Sequence, residues 1–114
     1  MNYNPFEKPF ASGEYQADVN WPHFVLDKVL EEGLYIIVIY DYNNDDYLTG
    51  LLNISVMSDG VSSSSDLMRA HNGRYTTYLS YQQESPSPYL NANYIDKGGQ
   101  YLSEASTINI YKLS

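Results

Sequence analysis

The sequence contains no cysteine. That removes disulfides, thiolate nucleophiles and cysteine-ligated zinc or iron–sulfur sites, so packing and assembly must supply the stability. Basic residues are scarce: 6 Lys and Arg stand against 14 Asp and Glu, a net charge of −8. A surface of that sign repels phosphate backbones and anionic lipid heads, which argues against nucleic acid and membrane surfaces as partners. The longest apolar run, Leu34 to Tyr40, falls far short of the roughly 20 residues that a spanning helix requires. Met1-Asn2-Tyr3-Asn4-Pro5-Phe6-Glu7 has neither the basic start nor the apolar core of a secretory signal, so synthesis in the cytoplasm is expected. His23 and His71 each stand without a second ligand at metal spacing, and Gly98-Gly99 opens no helix that would cradle phosphate. No cofactor, metal or catalytic residue is expected.

What remains is a chain of 114 residues, 43% hydrophobic and 18% charged, the composition of one folded domain. Its unusual component is tyrosine, 13 residues against 3 Phe and 1 Trp. A tyrosine pairs a large apolar ring with a hydroxyl that needs a partner, so it suits half-buried strands, wet interfaces and stacking surfaces for sugars. Strand packing is the first reading.

Residues 1–20 carry Pro5, Pro9 and Gly13 without periodicity and read as an N-terminal arm anchored by Tyr3, Phe6 and Phe10, with a short edge strand over Glu14 to Val19. Residues 21–114 read as the domain proper. Between Pro22 and Gly33 the spacing of Val25, Leu26, Val29 and Leu30 fits a short helix; the alternative is a strand entering a turn at Glu32-Gly33. Leu34 to Tyr42 is rich in β-branched, aromatic and apolar residues on both alternate sets, as expected for a central strand covered on both faces. Asn43-Asn44-Asp45-Asp46 predicts a reversal into the alternating strand around Leu52, Ile54 and Val56, and so a hairpin across residues 35–57. Ser62-Ser63-Ser64-Ser65 reads as a loop. Asn72-Gly73 is a two-residue hairpin signal between a short element at 66–71 and a strand from Arg74. Pro86 and Pro88 should interrupt pairing before a strand at 89–95, and Thr107 to Leu113 closes the chain. Six to seven antiparallel strands make an all-β sandwich or barrel-like domain with an extended arm.

Several residue groups invite a chemical reading. Asp41, Asn43, Asp45 and Asp46 could gather oxygens around calcium, yet glycine and a bidentate acid are missing where an EF-hand needs them, so a hairpin tip is preferred. The serine run with a histidine and an acid lacks any nucleophile elbow, and the neighbouring acids Glu31-Glu32 suit a solvated loop better than a glycosidase pair. Tyr75, Tyr78, Tyr81, Tyr89, Asn91, Asn93 and Tyr94 combine flat rings with amides, and form the predicted binding surface, for a protein partner first and a glycan second.

Three stretches carry a family likeness: Gly33 to Tyr40, Asn72 to Tyr81, and the closing Ser103 to Leu113. In these the chain resembles the small all-β domains of bacteriophage virions, the head decoration and head-fibre proteins and the tail-fibre tips. The resemblance implies a non-enzymatic virion-surface protein, commonly a homotrimer, that clamps the major capsid protein or presents a face to a host-surface glycan. A chain without a fibrous stem fits decoration better than a fibre tip. A third reading, an acidic inhibitor mimicking nucleic acid, needs acids on one face, whereas here they run from Glu7 to Glu104.

Overall fold

The computed structural model describes residues 8–41, 50–58, 61–71, 74–82, 86–96 and 101–113, with backbone alone for 58 and 61–71. Eight strands follow one another: β1 (Ala11–Gln16), β2 (His23–Leu30), β3 (Gly33–Tyr40), β4 (Leu51–Ser58), β5 (Val61–His71), β6 (Arg74–Tyr81), β7 (Ser87–Tyr94) and β8 (Thr107–Lys112). They form a closed antiparallel barrel in the order β1-β2-β7-β4-β5-β6-β3-β8. The all-β, barrel-like expectation holds, with eight strands where six or seven were counted. Among the described residues no helix is long and apolar enough to cross a membrane.

An eight-stranded barrel is just wide enough for side chains to fill it. Here Phe24, Tyr35, Ile37, Ile39, Leu52, Ile54, Tyr75, Leu79, Tyr81, Leu90 and Tyr94 are enclosed in one interior cluster. Alternation along β3 sends Tyr35, Ile37 and Ile39 inward, while Ile36 and Val38 face out and bury themselves against Tyr111 of β8. The expectation that this strand is covered on both faces is therefore met by two separate clusters.

Five local expectations are corrected. The segment after Pro22 is strand β2, not a helix: Phe24, Leu26 and Leu30 fill the barrel, while Val25 and Val29 remain exposed. β3 and β4 do not form a hairpin, because β3 pairs with β6 and β8 while β4 pairs with β5 and β7. The serine run lies inside β5, paired to β4 with a register shift between Val56 and Met57; a backbone ladder next to an apolar strand does not require apolar partners. β1 is no edge strand and the barrel begins at Ala11, not at residue 21, since β1 closes the sheet between β2 and β8. Ser87 and Pro88 belong to β7, where Pro88 falls between the β2-paired positions Ser87 and Tyr89, at the irregularity in β2 between Val25 and Leu30. Its missing N–H is tolerated there.

His71 pairs with Arg74, leaving two residues between the strands as the hairpin signal predicts; Asn72-Gly73 and Asn43 to Asp46 lie outside the described residues. Glu31 and Glu32 carry the chain across one barrel end between β2 and β3, which are not neighbours in the sheet. Tyr35 fastens this crossing: its hydroxyl donates to the Glu31 carbonyl at 2.7 Å and accepts from the Glu31 N–H at 3.2 Å.

Candidate functional site

The barrel sorts the seven residues of the predicted binding surface into two populations. Tyr75, Tyr81 and Tyr94 are fully enclosed in the interior, so they are not surface contacts. The reason is parity: on β6 the odd positions face in, which leaves Thr76, Tyr78 and Ser80 outside. Among the described residues Tyr78 is the most exposed aromatic, at 62%, and Tyr89 stands at 46%. They cannot share one contact, because β4 and β5 separate β7 from β6 around the barrel. Tyr89 does keep company with Asn91 and Asn93, half-buried on the outer face of β7. The Asn91 Oδ1 is enclosed without a hydrogen-bond partner among the described residues.

Of the predicted arm anchors, Phe10 packs on the barrel itself. Its ring lies 5.8 Å from that of Tyr35, with the Lys28 and Lys112 ammonium groups 5.1 and 5.4 Å from its centre. Tyr3 and Phe6 lie outside the described residues.

Inside the opposite end of the barrel is a polar chain. The Tyr75 hydroxyl donates to that of Tyr94 at 3.0 Å, and Tyr94 donates to Oδ2 of the fully buried Asp41 at 3.2 Å. Ser103 adds its backbone N–H at 3.4 Å and its hydroxyl. Burial first, then the hydrogen bond with Tyr75 and the charge of Asp41, pushes the Tyr94 phenol far above its ordinary value. Asp41 is thus an interior carboxylate held by Tyr94 and Ser103; among the described residues, which leave out Asn43, Asp45 and Asp46, no three acids or histidines gather at metal distance. His23 is likewise committed, its Nδ1 donating to the Trp21 carbonyl while its ring meets Tyr89 edge-on at 5.4 Å.

Two outer walls result. On the first, formed by β8, β3 and β6, the register sets Tyr111, Ile36 and Tyr78 in one row and Asn109, Val38 and Thr76 in the next. The sequences of β8, β3 and β6 contain no acidic residue, and Arg74 supplies a cation at one end of β6. On the second, formed by β8, β1, β2 and β7, a groove of about 520 Å³ runs across the strands. Its floor is the backbone of Ile108, Gly13 and Leu26, a paired row whose side chains turn inward. One rim is Asn109, Ser12 and Asp27; the other is Thr107, Glu14 and Val25, which the register continues to Tyr89. Sequence reasoning missed this groove, because β8, which supplies one side of it, lies far from β1 and β2 in the chain and joins them only when the barrel closes.

Compared with protein-family models, with curated proteins and with solved structures, the chain finds no match.

Proposed function

We propose that the protein is a non-enzymatic virion component, a capsid decoration or head-fibre protein, that assembles as a homotrimer through its β8–β3–β6 wall and attaches to the major capsid protein. One observation carries the reading: in a chain of net charge −8, the three strands of one wall hold no acid of their own among the described residues, and the exposed Tyr78 stands there beside the apolar row of Ile36 and Tyr111. Copies of like charge repel at every other approach, so the acid-free wall is where they meet at least electrostatic cost. A tyrosine there supplies a large contact area with little side-chain entropy to lose. The virion setting and the trimer rest on the resemblance of the three sequence stretches to phage head proteins, and the barrel interior filled by side chains is in keeping with a structural role.

Light scattering on the full chain tests the assembly. A concentration-independent trimer is expected, and Tyr78→Asp should reduce it to monomer by placing a desolvated charge at the contact. A wild-type chain that is monomeric at every concentration overturns the assembly. Immunogold labelling of particles from a culture producing the protein tests the setting: label on the shell is expected, and label confined to the soluble fraction overturns the virion placement.

A further inference from the structure

The second wall carries a different kind of recognition. Its groove is lined by hydroxyls, amides and carboxylates, and none of the described lining residues is basic. One rim is fixed in place before any ligand arrives: the Ser12 hydroxyl donates to Asn109 Oδ1 and the Ser12 N–H donates to Asp27 Oδ1, each at 2.9 Å. Both partners are thereby oriented, and each has a polar atom left for a ligand, the donor Nδ2 of Asn109 and the acceptor Oδ2 of Asp27. Across the floor stand the Thr107 hydroxyl and the Glu14 carboxylate. The opposite rim then passes over Val25 to the exposed face of Tyr89, whose ring is braced by His23.

We infer that this wall binds a neutral oligosaccharide, with one sugar seated between Asp27, Asn109 and Glu14 and the next stacked on Tyr89. The chemistry selects the ligand class. Carboxylates and amides accept and donate in the bidentate pattern that vicinal hydroxyls offer, and an acidic groove disfavours sulfated or sialylated chains. Geometry selects the length. Four strands spaced about 4.8 Å apart give a path of roughly 14 Å from β8 to β7, the span of two or three linked pyranose rings. The backbone floor lets a flat ligand approach closely, since no side chain rises from the row of Ile108, Gly13 and Leu26.

The two walls share β8, and Asn109 belongs to both, but glycan binding needs only one copy and its Tyr89 end lies three strand places from Tyr78, so substitutions distinguish it from the assembly. Its test is a printed array of neutral, sialylated and sulfated glycans probed with the full chain, followed by calorimetric titration with the neutral oligosaccharide that gives the strongest signal. Binding to neutral glycans alone is expected. Glu14→Gln, an exposed residue outside the folding core, should weaken it about tenfold, the loss of one charge-assisted hydrogen bond; Tyr89→Ala should weaken it at least as much. Tyr78→Asp should leave the affinity per chain unchanged while it dissociates any trimer. Failure to bind any neutral glycan, or binding that Glu14→Gln and Tyr89→Ala both leave intact, overturns the inference. A loss with Tyr78→Asp alone assigns glycan binding to the other wall and overturns it equally.

Discussion

Tyr94 and Asp41 meet across the full width of the barrel, the phenol on β7 donating to the carboxylate that follows β3 at 3.2 Å. The two strands are four places apart in the closed order whichever way it is followed, so this bond is a strut between opposite walls. With Tyr75 and Ser103 it pins three strands and the segment before β8 to one buried charge. Tyr94→Phe should therefore cost about 1–3 kcal/mol, because it leaves a buried carboxylate short of a donor. Urea denaturation measures it: a lower midpoint with an unchanged slope is expected. Combined with Asp41→Asn, the two losses should fall short of additive, as they do for partners in one network.

Glycines at two close approaches should resist even a methyl group. A Cβ at Gly50 would lie 2.3 Å from Tyr94 Cε1 and 2.6 Å from the Tyr75 hydroxyl. Gly50→Ala should destabilise by about 1–3 kcal/mol, as overpacking does. At Gly13 the obstacle is the Val25 carbonyl oxygen at 2.5 Å, a backbone atom. Gly13→Ala should loosen the β1–β2 pairing, and faster amide exchange in β1 than in β3 would register it.

Ile37 is enclosed at the centre of β3, between β6 and β8. Ile37→Asp should abolish soluble expression, since an unpaired buried charge costs several kcal/mol against a total stability of roughly 5–15 kcal/mol. A soluble variant with a cooperative thermal transition would contradict this placement.

Alkali should unfold the protein early. Burial pushes the Tyr15 phenol up to about 12, partly offset by its hydrogen bond to the backbone, and it also raises Tyr35, Tyr75 and Tyr94 above the ordinary value of 10.0. Above pH 10 the unfolded chain sheds phenolic protons that the folded chain keeps. The folded state then holds more protons, so stability falls as pH rises; below pH 10 these groups contribute no pH dependence. Absorbance at a phenolate wavelength should show the interior set of Tyr15, Tyr35, Tyr75 and Tyr94 ionising only with cooperative loss of the near-ultraviolet circular dichroism. A single smooth titration of all the tyrosines near pH 10, with the fold intact, would contradict the interior placement.

Much of the fold was legible because it depends on local pattern. Strand β3 announced itself through an unbroken β-branched run, β6 and β8 through alternation, and the β5–β6 connection through Asn72-Gly73. Two residue types misled. Serines look like loop because they bury nothing, yet β5 needs only backbone partners along β4. Val25 and Val29 share helical spacing with Leu26 and Leu30, but in β2 they are exposed while the leucines fill the barrel. Of the candidate surface residues, Tyr89, Asn91 and Asn93 share the outer face of β7 as their two-residue spacing dictates, whereas Tyr75, Tyr81 and Tyr94 could not be assigned to inside or outside until the barrel closed.

By itself, the sequence determined that the chain is all-β and cysteine-free, carries an excess of acid, and is rich in rings that need both apolar surroundings and a polar partner. These follow from composition and from the two-residue period of a strand. Only the tertiary structure decided which strands are neighbours, which tyrosines are struts and which are contacts, and that the acids avoid one wall and line a groove on the other. Strand order is set by closure of the whole barrel, and a hydrogen bond such as that of Tyr94 to Asp41, 53 residues apart, exists only once every strand between them is in place.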